Sequence, residues 1–144
     1  MARANLTGFG DLEKFLKKLA EPTTMAIKAV DEASPVLEDS LKSEIRKAAN
    51  RTDDKGRPYS TGELAASIHR TKAKENHLGV FSVVKADGTD SKGLRNVEKM
   101  AYLEYGVASH GQAPHPVRQK AINSAEAECV KIMENVIYKE VDKL

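Results

Sequence analysis

This chain has little that most enzymes and binding modules depend on. Its 144 residues include one cysteine, no tryptophan and only 5% aromatic residues. A single cysteine excludes an internal disulfide and offers no paired-cysteine metal spacing. No apolar run approaches the roughly 20 residues of a membrane-spanning helix, and Met1 to Gly10 carry no apolar signal-peptide core. Charge of one sign is also missing. The 23 basic and 21 acidic residues leave a formal net charge of +2, too little to imply nucleic-acid binding by itself. The nine glycines are scattered, and none opens a strand-to-helix phosphate loop.

What is present is patterned apolar sequence of about one domain's length. A single domain over 1–144 is expected, with residues 1–10 as a loose arm. Leu12, Phe15, Leu16 and Leu19 recur at spacings of three and four and predict a short amphipathic helix, ended by Glu21-Pro22. Thr23 or Thr24 is the expected cap of the next helix. Ala26, Val30, Ala33, Leu37, Leu41, Ile45 and Ala48 form one apolar stripe that keeps phase across Pro35. That predicts a continuous helix, kinked at the proline.

Asn50–Tyr59 is turn chemistry without periodicity and predicts an exposed, mobile loop. Ser60-Thr61-Gly62-Glu63 has capping-box spacing, and one helical turn through Leu64 and Ala65 should feed a strand. Ile68–Lys74 and Leu78–Lys85 are expected to pair antiparallel around Glu75-Asn76-His77. Ala86–Gly93 reads as a second flexible loop. Leu94, Val97, Ala101 and Tyr105 return to helical spacing, with Gly106 expected to end that helix in a left-handed conformation. The last helix is the strongest pattern: Ile122, Ala125, Cys129, Ile132 and Val136, widened by Met133, Ile137 and Val141. The sum is an α+β fold, long N- and C-terminal helices packed on a small antiparallel sheet.

Chemistry-bearing residues are sparse. His110 and His115 share a Gly/Pro loop, and His69 and His77 lie on the hairpin, but a metal site needs further converging ligands. Cys129 sits on the apolar helix stripe, the usual place of a structural thiol. Glu63, Glu98 and Glu104 invite an acid–base reading, yet Glu63 has a capping role available. No metal, cofactor or catalytic residue is therefore expected. A metal-dependent hydrolase using His110, His115 and Glu104 is the weakest alternative. His69, Arg70, Lys72 and Lys74 make a basic strand. Arg70, Lys72 and Lys74 are the candidate DNA-facing residues if the chain is a nucleic-acid-binding module, although basic edge strands also guard against aggregation.

Two segments carry more specific information. Ser60-Thr61-Gly62-Glu63-Leu64-Ala65-Ala66-Ser67-Ile68 resembles a "T-G-x-L-x-x-S-I" motif. Ala101-Tyr102-Leu103-Glu104-Tyr105-Gly106, followed by Pro114-His115-Pro116 and Ala121, resembles "A-aromatic-x-E-aromatic-G-T … P-x-x-x-x-A". In this order they are similar to the tail-component family of long-tailed bacteriophages, small proteins of neck and tail completion. The matching residues are Thr61, Gly62, Leu64, Ser67, Ile68, Ala101, Tyr102, Glu104, Tyr105, Gly106, Pro116 and Ala121. Val107, Val117 and Lys120 depart from the family's usual Thr, aromatic and Pro. The resemblance implies a non-enzymatic α+β virion protein, assembled in the host bacterial cytoplasm and located in the tail or neck. Its implied partners are other copies of itself in a ring and neighbouring head–tail connector or tail proteins. DNA enters only as channel contents, and no membrane is involved. Glu104, Tyr105, Gly106, His110, Pro114, His115 and Pro116 are the candidate assembly contacts, on a loop expected to project from the body and to be stiffened by its prolines.

Overall fold

The computed structural model describes residues 22–49, 55–56 and 60–143. The arm, the short helix over 11–20 and most of the 50–59 loop expected from the sequence lie outside the described residues. The order is α1 (Pro22–Ala49), α2 (Glu63–Ala66), β1 (Ile68–Arg70), β2 (Lys74–Asn76), β3 (Gly79–Phe81), β4 (Val84–Ala86), α3 (Asn96–Tyr105) and α4 (Val117–Val141). A 3₁₀ turn, Ala108–His110, lies between the last two helices. The fold class is α+β, as expected. Among the described residues no helix is long and apolar enough to cross a membrane.

The two long helices, of 28 and 25 residues, form the frame. Helix α1 begins at Pro22 and contains Thr23 and Thr24, so neither threonine is its cap. It runs unbroken through Pro35. Proline at that position removes the N–H that Asp31 C=O would accept. The Ser34 hydroxyl donates to that carbonyl instead, at 3.3 Å. Helix α4 runs antiparallel to α1: Lys28 bonds Glu140 near one end, and Ser40 meets Ala121 C=O and Ser124 Oγ nearer the other. Small residues line the contact. Ala29 and Ala33 are buried on α1 and Ala121 and Ala125 on α4, and the Cys129 thiol reaches Ala33 C=O at 3.5 Å. Burial pushes the Cys129 pKa up, which keeps it a neutral thiol.

The buried edge of α4 is Val117, Ala121, Ala125 and Val136. Ile122 and Ile137, expected on the packed stripe, are more than 40% exposed. The pattern was wide, and α1 covers only one side of it.

The strands form one interrupted hairpin. Ile68 to Arg70 pair with Ala86 to Val84, and Lys74 to Asn76 with Phe81 to Gly79. Between these ladders three residues, 71–73, oppose two, 82–83. That extra residue is a β-bulge, pinned where Thr71 N–H donates to Val83 C=O and Val83 N–H to Thr71 Oγ1. The bulge leaves Arg70 and Ala73 N–H groups aimed at α1, where Glu38 and Asp31 carboxylates accept them at 3.2 and 2.6 Å. The edge is thus closed by helix side chains, one of the ways natural sheets block further pairing.

Residues 86–93 are more ordered than expected. Asp90 Oδ1 accepts the N–H groups of Lys92 and Leu94, its backbone pairs with Leu94, and Oδ2 is bound by Lys99. The side chain is 4% exposed. Aspartate commonly folds the backbone this way, and sequence composition alone reads such a turn as flexible. The capping box is also corrected. The N-cap of α2 is Gly62 at φ 80 without a side-chain cap, and Glu63 instead accepts from Thr61 Oγ1, Ser91 N–H and Ser91 Oγ.

The core joins Leu41 and Ile45 of α1, Ala65, Ile68, Ala86, Met100, Val117 and Ala121, with Leu64 and Leu103 packed against it. Helix α3 contributes through Met100, while the buried Asn96 donates from Nδ2 to Asp87 C=O. The stripe expected to carry its packing, Leu94, Val97, Ala101 and Tyr105, faces largely outward, and Tyr105 is 72% exposed.

Candidate assembly surface

The Gly106–Pro116 segment joins α3 to α4, and its geometry starts from one residue. Gly106 ends α3 at φ 74 and ψ 176. The positive φ matches expectation, but ψ puts it in an extended, essentially glycine-only region rather than the left-handed helical one. A side chain here has no room: a Cβ would lie 2.5 Å from Gln112 O and 2.8 Å from Pro114 N. The chain folds back across its own path. Val107 and Gln112 exchange backbone hydrogen bonds, and the 3₁₀ turn closes at Gly111, φ 64.

This fold-back binds the free end of α3. Gly106 N–H and Gln112 Nε2 both donate to Tyr102 C=O, and His115 N–H donates to Leu103 C=O at 2.8 Å. The loop therefore lies against the body instead of projecting from it. Glu104 acts on the next helix. Pro116 caps α4 without a side-chain bond, while Glu104 Oε2 accepts Arg118 N–H at 3.1 Å. A carboxylate is favourable there because the first N–H groups of a helix lack intrahelical partners. The last turn of α3 thus fixes the start of α4.

The remaining loop residues are presented to solvent in an ordered frame. Ala108, Ser109, His110, Ala113, Pro114 and Pro116 are exposed, and His115 is half-buried. His110, Gly111, Gln112 and His115 line a cleft of about 480 Å³ with Ala48, Ala49, Ser60 and Leu103. Among the described residues no group of three or more His, Cys, Asp or Glu side chains is placed to hold a metal ion.

No protein-family model, curated protein or solved structure matches this chain. Its function has to be read from its own surfaces.

The hairpin divides the basic residues between two faces. Arg70 turns inward: its guanidinium lies 3.3 Å from Ser34 Oγ, 3.7 Å from Glu38 and 3.9 Å from Asp31. Glu38 also receives Lys42, and these cations hold its carboxyl below the usual range. Lys72 and Lys74 are exposed, Lys74 lying over the Phe81 ring at 5.4 Å. His69 and Lys85 are cross-strand neighbours and both exposed.

A second surface is apolar. Two small hollows of about 140 and 130 Å³ share Leu41, Val84 and Arg118. Val97 and Met100 border one, and Leu37 and Ile122 the other. The signal available was the excess width of the α4 stripe at Ile122 and the apolar spacing of Val97 with Ala101. Periodicity identifies an apolar face but not what covers it.

Proposed function

We propose that this chain is a structural virion protein of a tailed phage or prophage, acting without catalysis in head–tail joining through assembly with copies of itself and neighbouring connector or tail proteins. The observation that supports this most is where the two resembling segments meet. Leu64, Ala65 and Ile68 from the first pack in one core with Met100, Leu103, Val117 and Ala121, in and around the second. Residues some 40 apart in sequence that share a motif order also share a folded unit. Gly106 and Glu104 have the backbone work such a motif needs, and Tyr105, His110, Pro114 and Pro116 are left on the surface for contacts. A loop already held in place loses little conformational entropy when it docks.

Complementation tests this. Removing the gene from its phage should give filled heads and separate tails by electron microscopy, and supplying the protein should restore joined virions. Joined, infectious particles without the protein would rule the role out.

The nucleic-acid reading keeps one supporting observation, the exposed basic residues His69, Lys72, Lys74 and Lys85 of the hairpin. It requires binding to generic DNA that weakens steeply with salt. The hydrolase reading lacks a converging ligand set among the described residues, and Glu104 is engaged by Arg118 N–H.

A further inference from the structure

Beside its buried edge, the C-terminal half of α4 carries a second apolar stripe. Val130, Met133, Ile137 and Val141 follow one another at the three- and four-residue spacings of one helix face. Val130, Ile137 and Val141 are each more than 40% exposed, and the neighbouring Tyr138 is 66% exposed. Glu126 and Glu134, both exposed, stand one turn from Val130 on either side. The stripe lies at the opposite end of α4 from the Gly106–Pro116 segment.

The chain supplies a matching apolar face at this same place. Lys28 bonds Glu140 at 2.9 Å, so the start of α1 lies beside the end of α4. From Pro22, where α1 begins, to Lys28 is about 9 Å of helix. The sequence leading into Pro22 carries Leu12, Phe15, Leu16 and Leu19 at helical spacing, with Lys14, Lys17 and Lys18 among them. A helix so short is marginal in water by itself, where about 12–15 residues are needed. Its apolar side therefore requires a surface to pack on. Glu21-Pro22 disfavours a straight continuation into α1, because the residue before a proline avoids the helical region.

We propose that the 11–20 segment folds back at Glu21-Pro22 and packs Leu12, Phe15, Leu16 and Leu19 on the Val130–Val141 stripe of the same molecule. A reversal there is a short helix–helix connection, and it runs the segment alongside α4 in the same direction. Leu19 then falls beside Val141 and Leu12 near Val130, with lysines of the segment facing Glu126 and Glu134. What selects this occupant is the point of attachment. A segment joined to the body within a few turns of its site acts at an effective concentration of the order of millimolar. A contact too weak to hold two molecules together is sufficient within one. The inference goes beyond the assembly reading and does not depend on it.

Disulfide trapping in the full chain, with Cys129→Ala as background, tests this. Leu16→Cys combined with Ile137→Cys should oxidise to an intramolecular disulfide whose yield is independent of protein concentration. Leu16→Cys combined with Tyr105→Cys, at the far end of the molecule, should give none. A second measurement uses Ile137→Cys as the lone thiol and follows its alkylation rate. Leu12→Asp with Leu16→Asp should raise that rate by about tenfold or more, the population shift expected for losing the burial of a leucine. Leu16→Met should leave it unchanged, and so should either change when Tyr105→Cys is the reporter. Disulfides that form only between molecules, in yields that grow with concentration, would show a second copy on the stripe and overturn the proposal. An alkylation rate indifferent to the aspartates would show the stripe bare and overturn it equally. Either outcome leaves the head–tail reading to its own complementation test.

Discussion

Gly106→Ala is the sharpest test of the α3–α4 connection. The substitution adds one carbon, and the structure gives two separate costs. The backbone stays at φ 74, ψ 176, a region nearly closed to other residues, at about 1–3 kcal/mol. The new Cβ also meets backbone, Gln112 O at 2.5 Å, Pro114 N at 2.8 Å and Ala113 C at 3.1 Å. Backbone cannot rotate away as a side-chain end can. The loop must move, which weakens the Val107–Gln112 pair and the His115 N–H bond to Leu103 C=O, each about 1 kcal/mol. The total is about 3–5 kcal/mol. Gly62→Ala is the control. It has a similar φ of 80, but nothing lies within 4 Å of its Cβ position, so it should cost only about 1–2 kcal/mol. Urea unfolding followed by circular dichroism measures both. Equal losses for the two variants would refute the argument that backbone packing, beyond positive φ, demands glycine at 106.

Three other outcomes follow from particular contacts. Glu104→Ala removes the carboxylate at the start of α4 and should cost about 0.5–2 kcal/mol, with faster amide exchange at Arg118 and little change at Val136. Asp90→Ala should raise exchange at the Lys92 and Leu94 amides, because both N–H groups lose the acceptor Oδ1; unchanged protection there would contradict the turn described. In acid, stability should fall between pH 4.5 and about 2, since Lys143 and Lys28 hold the Glu140 carboxyl down from 4.5 to about 2, and Lys99 and Lys42 lower Asp90 and Glu38 in the same direction. A carboxylate whose pKa is lowered by folding contributes stability above its unfolded pKa and loses it as pH falls through the folded one; a melting temperature constant down to about pH 2 contradicts those pairings.

The elements that were legible in the sequence are those whose burial follows a period. The α1 stripe holds phase through Pro35, and Leu41 and Ile45 on one side of it and Ala29 and Ala33 on the other are all buried. The hairpin was legible through its β-formers, but the bulge was not, since one extra residue leaves composition unchanged. For helix α3 the apolar spacing points to the wrong face, for a physical reason. Its buried side holds Asn96, whose amide is bonded to Asp87 C=O, and periodicity counts asparagine as polar and outward. The 86–93 turn was hidden in the same way, by one buried aspartate. At the candidate surface, glycine at 106 and the importance of Glu104 were readable from the motif. Their physical roles needed coordinates, because Gln112 O and Arg118 N–H are brought to them by the fold-back and not by sequence neighbourhood.

The pairing of α1 with α4 has a consequence for how the chain folds. Ser40 meets Ser124 and Lys28 meets Glu140 across sequence separations of 84 and 112 residues. Helical proteins usually fold fast because their contacts are local. Here the two longest helices find each other only after nearly the whole chain between them has been drawn together, and closing so long a span carries an entropy cost before any of its contacts form. The protein should therefore fold more slowly than its helix content suggests, with the hairpin and α3 assembling as the bridge that brings the long helices into reach.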